Sequence, residues 1–229
     1  MSDVYSFSAK GKRENNEDFI FTKQLSPDCS LHLVADGMGG YSYGELASSL
    51  ACESIAEYMI SNIGKADIKQ LIAQSLDFAN KNINAKRKQL ATKMGTTIAG
   101  VVIEGTMAYF FWLGDVRIYL FRNSEIIFQS VDHSFINEMK RNEVISTKEI
   151  ERYGNIVTQS LSGNSLEKEC PIVELPLSPD DVLLICSDGL WRKFHVPSLV
   201  GLTKDSMNDQ LITFENSMED NYSVIRILT

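Results

Sequence analysis

Residues 97–113 read TIAGVVIEGTMAYFFWL, two apolar runs separated by Glu104-Gly105-Thr106. Branched and aromatic residues on both sides of a short glycine-containing break predict an antiparallel strand pair, 97–103 and 107–113. Working outward, similar runs occupy 31–35, 117–121, 126–130, 182–186 and 222–228. Two segments upstream of the hairpin follow another period. Over 44–63, Leu46, Ala47, Leu50, Ala51, Ile55, Met59 and Ile63 fall on one helical stripe. Over 67–90, Ile68, Leu71, Ile72, Leu76, Ala79 and Ile83 do the same, with Asp67 as N-cap. Ser146 and Glu149 have capping-box spacing and predict a further short helix. Strands in consecutive runs with helices grouped between them predict an α+β fold, antiparallel sheets with helices outside, rather than an alternating parallel sheet.

The 229 residues are 44% hydrophobic and 23% charged, the balance of a globular chain rather than a disordered one. No repeat, low-complexity tract or linker divides them, so residues 1–229 read as one domain. Twenty-two Lys and Arg against 30 Asp and Glu give a net charge of −8, which would repel a nucleic-acid backbone. Cys29, Cys52, Cys170 and Cys186 form no CxxC pair, lie at no zinc-ligand spacing from the three histidines, and suit a reducing compartment. Residues 1–16 are polar, unlike a signal peptide, and no run approaches the ~20 apolar residues of a membrane span. The expectation is a cytoplasmic protein without membrane or nucleic-acid partners. Only four residues follow Ile225, so no C-terminal tail or anchor is expected.

The informative feature is where the acids fall. Asp36 closes the run 31–35 and opens Asp36-Gly37-Met38-Gly39-Gly40; Asp188 follows the run 182–186 in Ser187-Asp188-Gly189. Asp115 follows Leu113-Gly114, Asp220-Asn221 precede the last strand, and Glu17-Asp18 precede Phe19-Ile20-Phe21. Singly, Asp-Gly after a strand is a common hairpin turn. Asp36-Gly37, however, leads into more glycines and a helix, not into a second strand. Acids on rigid strand ends can converge, and converging buried anions need cations. An all-oxygen donor set favours Mg²⁺ or Mn²⁺, and glycine lets the Gly37 carbonyl approach an ion. A structural calcium site is the alternative, but no Asp-x-Asp-x-Asp-Gly loop is present. Arg13, four residues before Glu17, offers a fork of donors that fits phosphate; a surface pair with Glu17 is the competing reading.

These residues resemble the pattern of the metal-dependent type-2C serine/threonine protein phosphatases, in particular their compact bacterial members. The matching segments, in family order along nearly the whole chain, are Arg13-x-x-Asn16-Glu17-Asp18, Ala35–Gly40, Met94-Gly95-Thr96-Thr97, Gly114-Asp115-Val116-Arg117, Asp132-His133-Ser134, Ser187-Asp188-Gly189 and Asp220-Asn221-x-Ser223-Val224-Ile225. The resemblance implies an α-β-β-α sandwich: two antiparallel sheets face to face, with helices on both outer faces. It also implies hydrolysis of phosphoserine and phosphothreonine in proteins by in-line attack of a hydroxide bridging two Mn²⁺ or Mg²⁺ ions. Asp36 would bridge the ions, the Gly37 carbonyl would complete one shell, and Asp188 and Asp220 would hold the other ion. Asp115 would bind a possible third. Glu17, Asp18 and Asn221 would support bound waters from behind, and Arg13 would grip the substrate phosphate. The partner would be a phosphorylated protein opposed by a cognate serine/threonine kinase, and the enzyme a monomer. A phosphopeptide-binding module of the same fold and a small-metabolite phosphatase are the alternatives.

Several positions depart from the family. Met38 stands where some members carry a histidine able to donate a proton to the leaving group; a metal-bound water or His133 would have to replace it. Val116 replaces the usual Ser or Thr, Glu219 a common glycine, and Arg192 a frequent Asp after Ser-Asp-Gly. The stretch from Asp188 to Asp220 is short. Residues 131–154 resemble a mobile flap beside the active site. Its Lys140, Arg141 and Arg152 would meet acidic substrate or simply face solvent.

Overall fold

The computed structural model describes residues 3–38, 43–140, 146–154, 156–166 and 168–229. The opening stretch forms β4 (Thr96–Glu104) and β5 (Met107–Leu113), antiparallel from Ile98↔Leu113 to Glu104↔Met107. Only Gly105 and Thr106 remain in the turn, with Gly105 at the positive φ that such turns require. β4 also pairs with β3 (Cys29–Gly37), β3 with β2 (Asp18–Ser26), and β5 with β8 (Ile172–Pro176), completing a five-stranded sheet B. The second sheet, A, runs in the order β1 (Asp3–Ala9), β10 (Tyr222–Leu228), β9 (Val182–Cys186), β6 (Arg117–Arg122), β7 (Glu125–Gln129). Every pairing in both sheets is antiparallel.

Side-chain alternation divides the apolar residues among three cores. On β3, Leu31, Leu33 and Ala35 turn outward onto α1 (Gly44–Asn62) and α2 (Ile68–Leu90), whereas Val34 turns inward. Between the sheets Val34, Val101 and Phe110 meet Ile118, Ile185 and Ile227. On the far face Leu184, Tyr222 and Val224 pack under α5 (Asp188–Trp191) and α6 (Lys204–Phe214). Two sheets with helices outside both give the α-β-β-α sandwich implied by the resemblance. The stripe of α1 is built from small residues, Ala47, Ala51 and Cys52, which let it lie close on the sheet. Asp67 caps α2 as expected, accepting from Lys69 N at 2.9 Å.

The flap-like segment contains α3 (Phe135–Lys140) and α4 (Thr147–Tyr153), the latter closed by the expected Ser146–Glu149 capping box. Lys140 and Arg152 are exposed, while Arg141 falls outside the described residues. The bridge Ser134↔Val157 closes the segment's base, and Thr96↔Leu161 ties the chain just beyond it to β4. The Gly114 N–H donates to His133 Nδ1 at 3.2 Å, and the His133 ring stacks on Trp112, so this histidine fixes the flap's base.

His32 is buried on β3, one ring nitrogen 3.0 Å from Ser30 Oγ and Nδ1 without a partner. Burial lowers its pKa to about 4. The unfolded chain therefore takes up a proton that the folded chain refuses between about pH 6.5 and 4, and stability falls as pH drops through that window. The ring should titrate near pH 4 by NMR. His32→Gln should remove about 3 kcal/mol of acid-dependent destabilisation from the unfolding curve.

Candidate metal centre and phosphate site

Antiparallel pairing places the acids at one end of the sandwich. In sheet B, Asp18 at the start of β2 lies opposite Asp36 at the end of β3, and Asp36 lies opposite Thr97 at the start of β4. In sheet A, Asp115 just precedes β6, Asp188 just follows β9, and Asp220 just precedes β10, three adjacent strands. Two rows of acids therefore face each other across the mouth between the sheets. A cavity of about 530 Å³ opens there, lined by Asp36, Gly37, Asp115, Asp188 and Asp220, with Arg13, Glu17, Met38 and Asn221 at its sides. Asp18 is buried immediately behind it. Every residue singled out for the site is thus brought to one place. Gly39 and Gly40 of the glycine cluster lie outside the described residues.

Backbone packing sets the rows. A Cβ on Gly189 would lie 2.0 Å from the Asn221 carbonyl oxygen, so only glycine lets the start of α5 touch the start of β10. A Cβ on Gly37 would lie 2.4 Å from the Gly44 backbone, which fixes the end of β3 against α1. The Asp36 carbonyl is held by Thr96 Oγ1 at 2.8 Å, which gives the Gly95-Thr96-Thr97 motif its supporting role. Asn221 acts as a clasp. Its Oδ1 accepts from Glu17 N at 2.9 Å, and its Nδ2 donates to the Lys10 and Asn15 carbonyls, each at 2.9 Å. The loop carrying Arg13 is thereby pinned to the start of β10.

The acids destabilise one another. Burial, then Asp18, Asp188, Asp115 and Asp220 in turn, push the Asp36 pKa well above the carboxylate range, and a hydrogen bond from Asp36 reaches Asp188. Burial and Asp188 raise Asp115 to about 7, against the pull of Arg192. Asp18 also rises to about 7 through burial, although Ser187 Oγ donates to its Oδ2 at 2.7 Å. Its other oxygen is buried and has no partner. Two arginines offset part of this charge. Arg13 Nη2 lies 2.8 Å from Asp220, not on Glu17, and Arg192 lies 3.0 Å from Asp188 and 3.5 Å from Asp115. No three acid, His or Cys side chains among the described residues close on one point.

The donors fit hard divalent cations. They are all oxygens, they repel one another when buried, and one buried Asp18 oxygen is orphaned. Arg192, Lys193 and Thr97 also line the cavity and were not selected from the sequence as site residues. Arg192 carried a signal in its spacing, four residues after Asp188 on the turn that becomes α5. A larger cavity of about 740 Å³ lies between α2 and residues 163–172, where acids such as Asp77 and Glu169 stand among Lys81 and Lys168 rather than in a cluster.

A family model described as "Protein phosphatase 2C" matches residues 8–223. The protein phosphatase PhpP of Streptococcus pneumoniae is 30% identical over 186 residues, 78% of this chain and 74% of that protein. The serine/threonine phosphatase of S. agalactiae superposes with a TM-score of 0.84 at 27% identity, covering 100% of both chains. The catalytic domain of the phosphatase PstP, solved in complex with two manganese ions, has the same fold, with a TM-score of 0.82 at 24% identity over 99% of this chain and 97% of that one. This chain belongs to the protein phosphatase 2C family.

Without metal, the buried acids favour their protonated forms, so stability held near pH 4 is lost as pH rises towards 7. Asp36→Asn removes the most strongly affected of these charges. In chelator at pH 7.5 the variant should melt several degrees above wild type, at about 2–4 °C per kcal/mol for a chain of this size. Saturating Mn²⁺ should raise the wild-type melting temperature more than that of the variant. A variant that melts lower without metal would show that Asp36 carries no such repulsion.

Proposed function

We propose that this chain, a serine/threonine protein phosphatase, holds two Mg²⁺ or Mn²⁺ ions at the mouth of its sandwich and hydrolyses phosphoserine and phosphothreonine by direct attack of water on phosphorus. The observation that carries this reading is the meeting of Asp36, Asp188 and Asp220, from strand ends in two sheets, with Arg13 on one cavity. Asp36, the Gly37 carbonyl, Asp188 and Asp220 are the ligands we assign. When bound, the ions supply an acidified water as nucleophile near neutral pH and neutralise charge on the phosphoryl oxygens. Two manganese ions in the PstP structure support that stoichiometry.

The protein's own groups bind and orient. The Arg13 guanidinium is half-exposed at the cavity wall and uses one nitrogen on Asp220, which leaves further N–H donors of its planar fork for a phosphate. The Asn221 clasp holds that loop in register. Asp18, anchored by Ser187 Oγ, and Glu17, held through its backbone by Asn221, present carboxylates behind the ligands, where they orient water. The described lining contains no Ser, Cys or His, and the Thr97 hydroxyl rests 3.3 Å from the Asp36 carbonyl. No hydroxyl, thiol or imidazole among them is free to form a phosphoenzyme, and the carboxylates are the groups we assign to metal and water. Met38 has no proton for the leaving oxygen, and His133 is not part of the lining. We place the enzyme in the cytoplasm as a monomer, opposing a serine/threonine kinase; its four free cysteines fit a reducing compartment.

The purified protein should hydrolyse a phosphothreonine peptide on addition of Mn²⁺ and stop with chelator. Asp188→Asn should lose several orders of magnitude in rate, because a ligand charge and the ion it holds are removed together. A fully active Asp188→Asn protein would falsify the ligand assignment. Arg13→Ala should raise KM for the peptide and lower kcat/KM by roughly 10- to 100-fold, the loss of one charged phosphate contact. A phosphometabolite panel turned over faster than phosphopeptides would overturn the substrate class.

A further inference from the structure

Resting on the two-ion reading, we propose that Arg192 is a built-in counter-cation that closes the Asp115 side of the centre. On this view the chain takes two ions, and Asp115 anchors a guanidinium rather than ligating a third. Arg192 Nε lies 3.0 Å from Asp188 Oδ2, and its Nη2 lies 3.5 Å from Asp115 Oδ2. One planar cation thus spans both carboxylates. An additional ion at Asp115 would sit against this fixed positive charge.

The guanidinium is held there by its surroundings. Its residue ends the single turn of α5, with Arg192 N donating to the Asp188 carbonyl at 3.0 Å. The preceding residue, Trp191, donates from Nε1 to the Asp115 carbonyl at 2.8 Å. Asp115 is therefore gripped at backbone and side chain by consecutive residues. The Trp191 ring carries the Arg117 guanidinium 3.4 Å from its centroid, and Arg117 is itself clamped on both oxygens of Asp132 at 2.8 Å. Arg192 lies 5.0 Å from the same ring, within cation–π range. A plain surface pair would join two exposed side chains. Here the Asp115 side chain is only 9% exposed, an acid that must have a partner.

The test counts metal, not turnover. Wild type, Arg192→Ala, Asp115→Asn and the double variant are dialysed to equilibrium against Mn²⁺, and the bound metal is measured by mass spectrometry. We expect two ions in wild type and in Asp115→Asn. Arg192→Ala should gain a third, weaker ion, and the double variant should return to two. Three ions in wild type would overturn the proposal, as would two in both wild type and Arg192→Ala. If Arg192→Ala does not fold, the comparison of wild type with Asp115→Asn decides, since a third ion on Asp115 would drop the count from three to two. A wild type that binds no ion at all would instead sink the metal centre on which the inference rests.

Discussion

Mutual repulsion of carboxylates at the open end of the sandwich is the constraint on which the rest of this structure depends. Alternation along β3 turns Val34 and Asp36 to the same side, so the apolar layer between the sheets ends abruptly in an acid. Ile20 and Asp18 repeat the pattern at the start of β2, whereas Asp188 and Asp220 lie just beyond β9 and β10, where the chain leaves the strands. A sandwich that finished in leucines would be more stable. This one finishes in anions, and it holds them with serine hydroxyls, an asparagine clasp and two arginines. Stability is given up locally for a site whose charge must be completed by an outside cation.

Antiparallel sheets make such a site inexpensive to build. In each sheet, consecutive strands start and end at the same edge, so acids far apart in the chain become neighbours without any loop having to aim them. Asp18 and Asp36 are register partners, as are Asp36 and Thr97. The glycines at 37 and 189 remove the last ångströms, allowing backbone to touch backbone where a methyl group would collide. Precision at the site therefore comes from main chain, which is stiffer than any side chain.

Much of this was legible in the sequence where a segment is buried on one clear face. The runs 107–113, 182–186 and 222–228 coincide with β5, β9 and β10, and the two long helices begin and end within a residue or so of their periodic stripes. What was missed lies at the periphery. β1 and β8 are edge strands with few buried side chains, so DVYSFSA and IVELP show little contrast between faces. β2 was visible only as Phe19-Ile20-Phe21, because Thr22 to Gln24, which follow, are polar and exposed and leave Leu25 isolated. α6 buries only Met207 and Leu211 and left almost no stripe. At the site, residue types and spacing identified the acids, but not their partners. Arg13 has Glu17 four residues away and instead pairs with Asp220, 207 residues distant. No local pattern carries that information.

The contact between Gly189 and Asn221 has a consequence for the chain that runs between them. Both ends of this excursion meet at one junction, so the segment that includes α6 is a closed loop, which packs Val196, Leu199, Met207 and Leu211 on the outer face of sheet A. The entropy of closing such a loop varies only slowly with its length. Its shortness therefore shows no sign of disturbing Asp188 and Asp220. The excursion is a cassette: its length can change while the junction that aligns the two acids stays as it is, so long as its apolar residues still cover the outer face of sheet A.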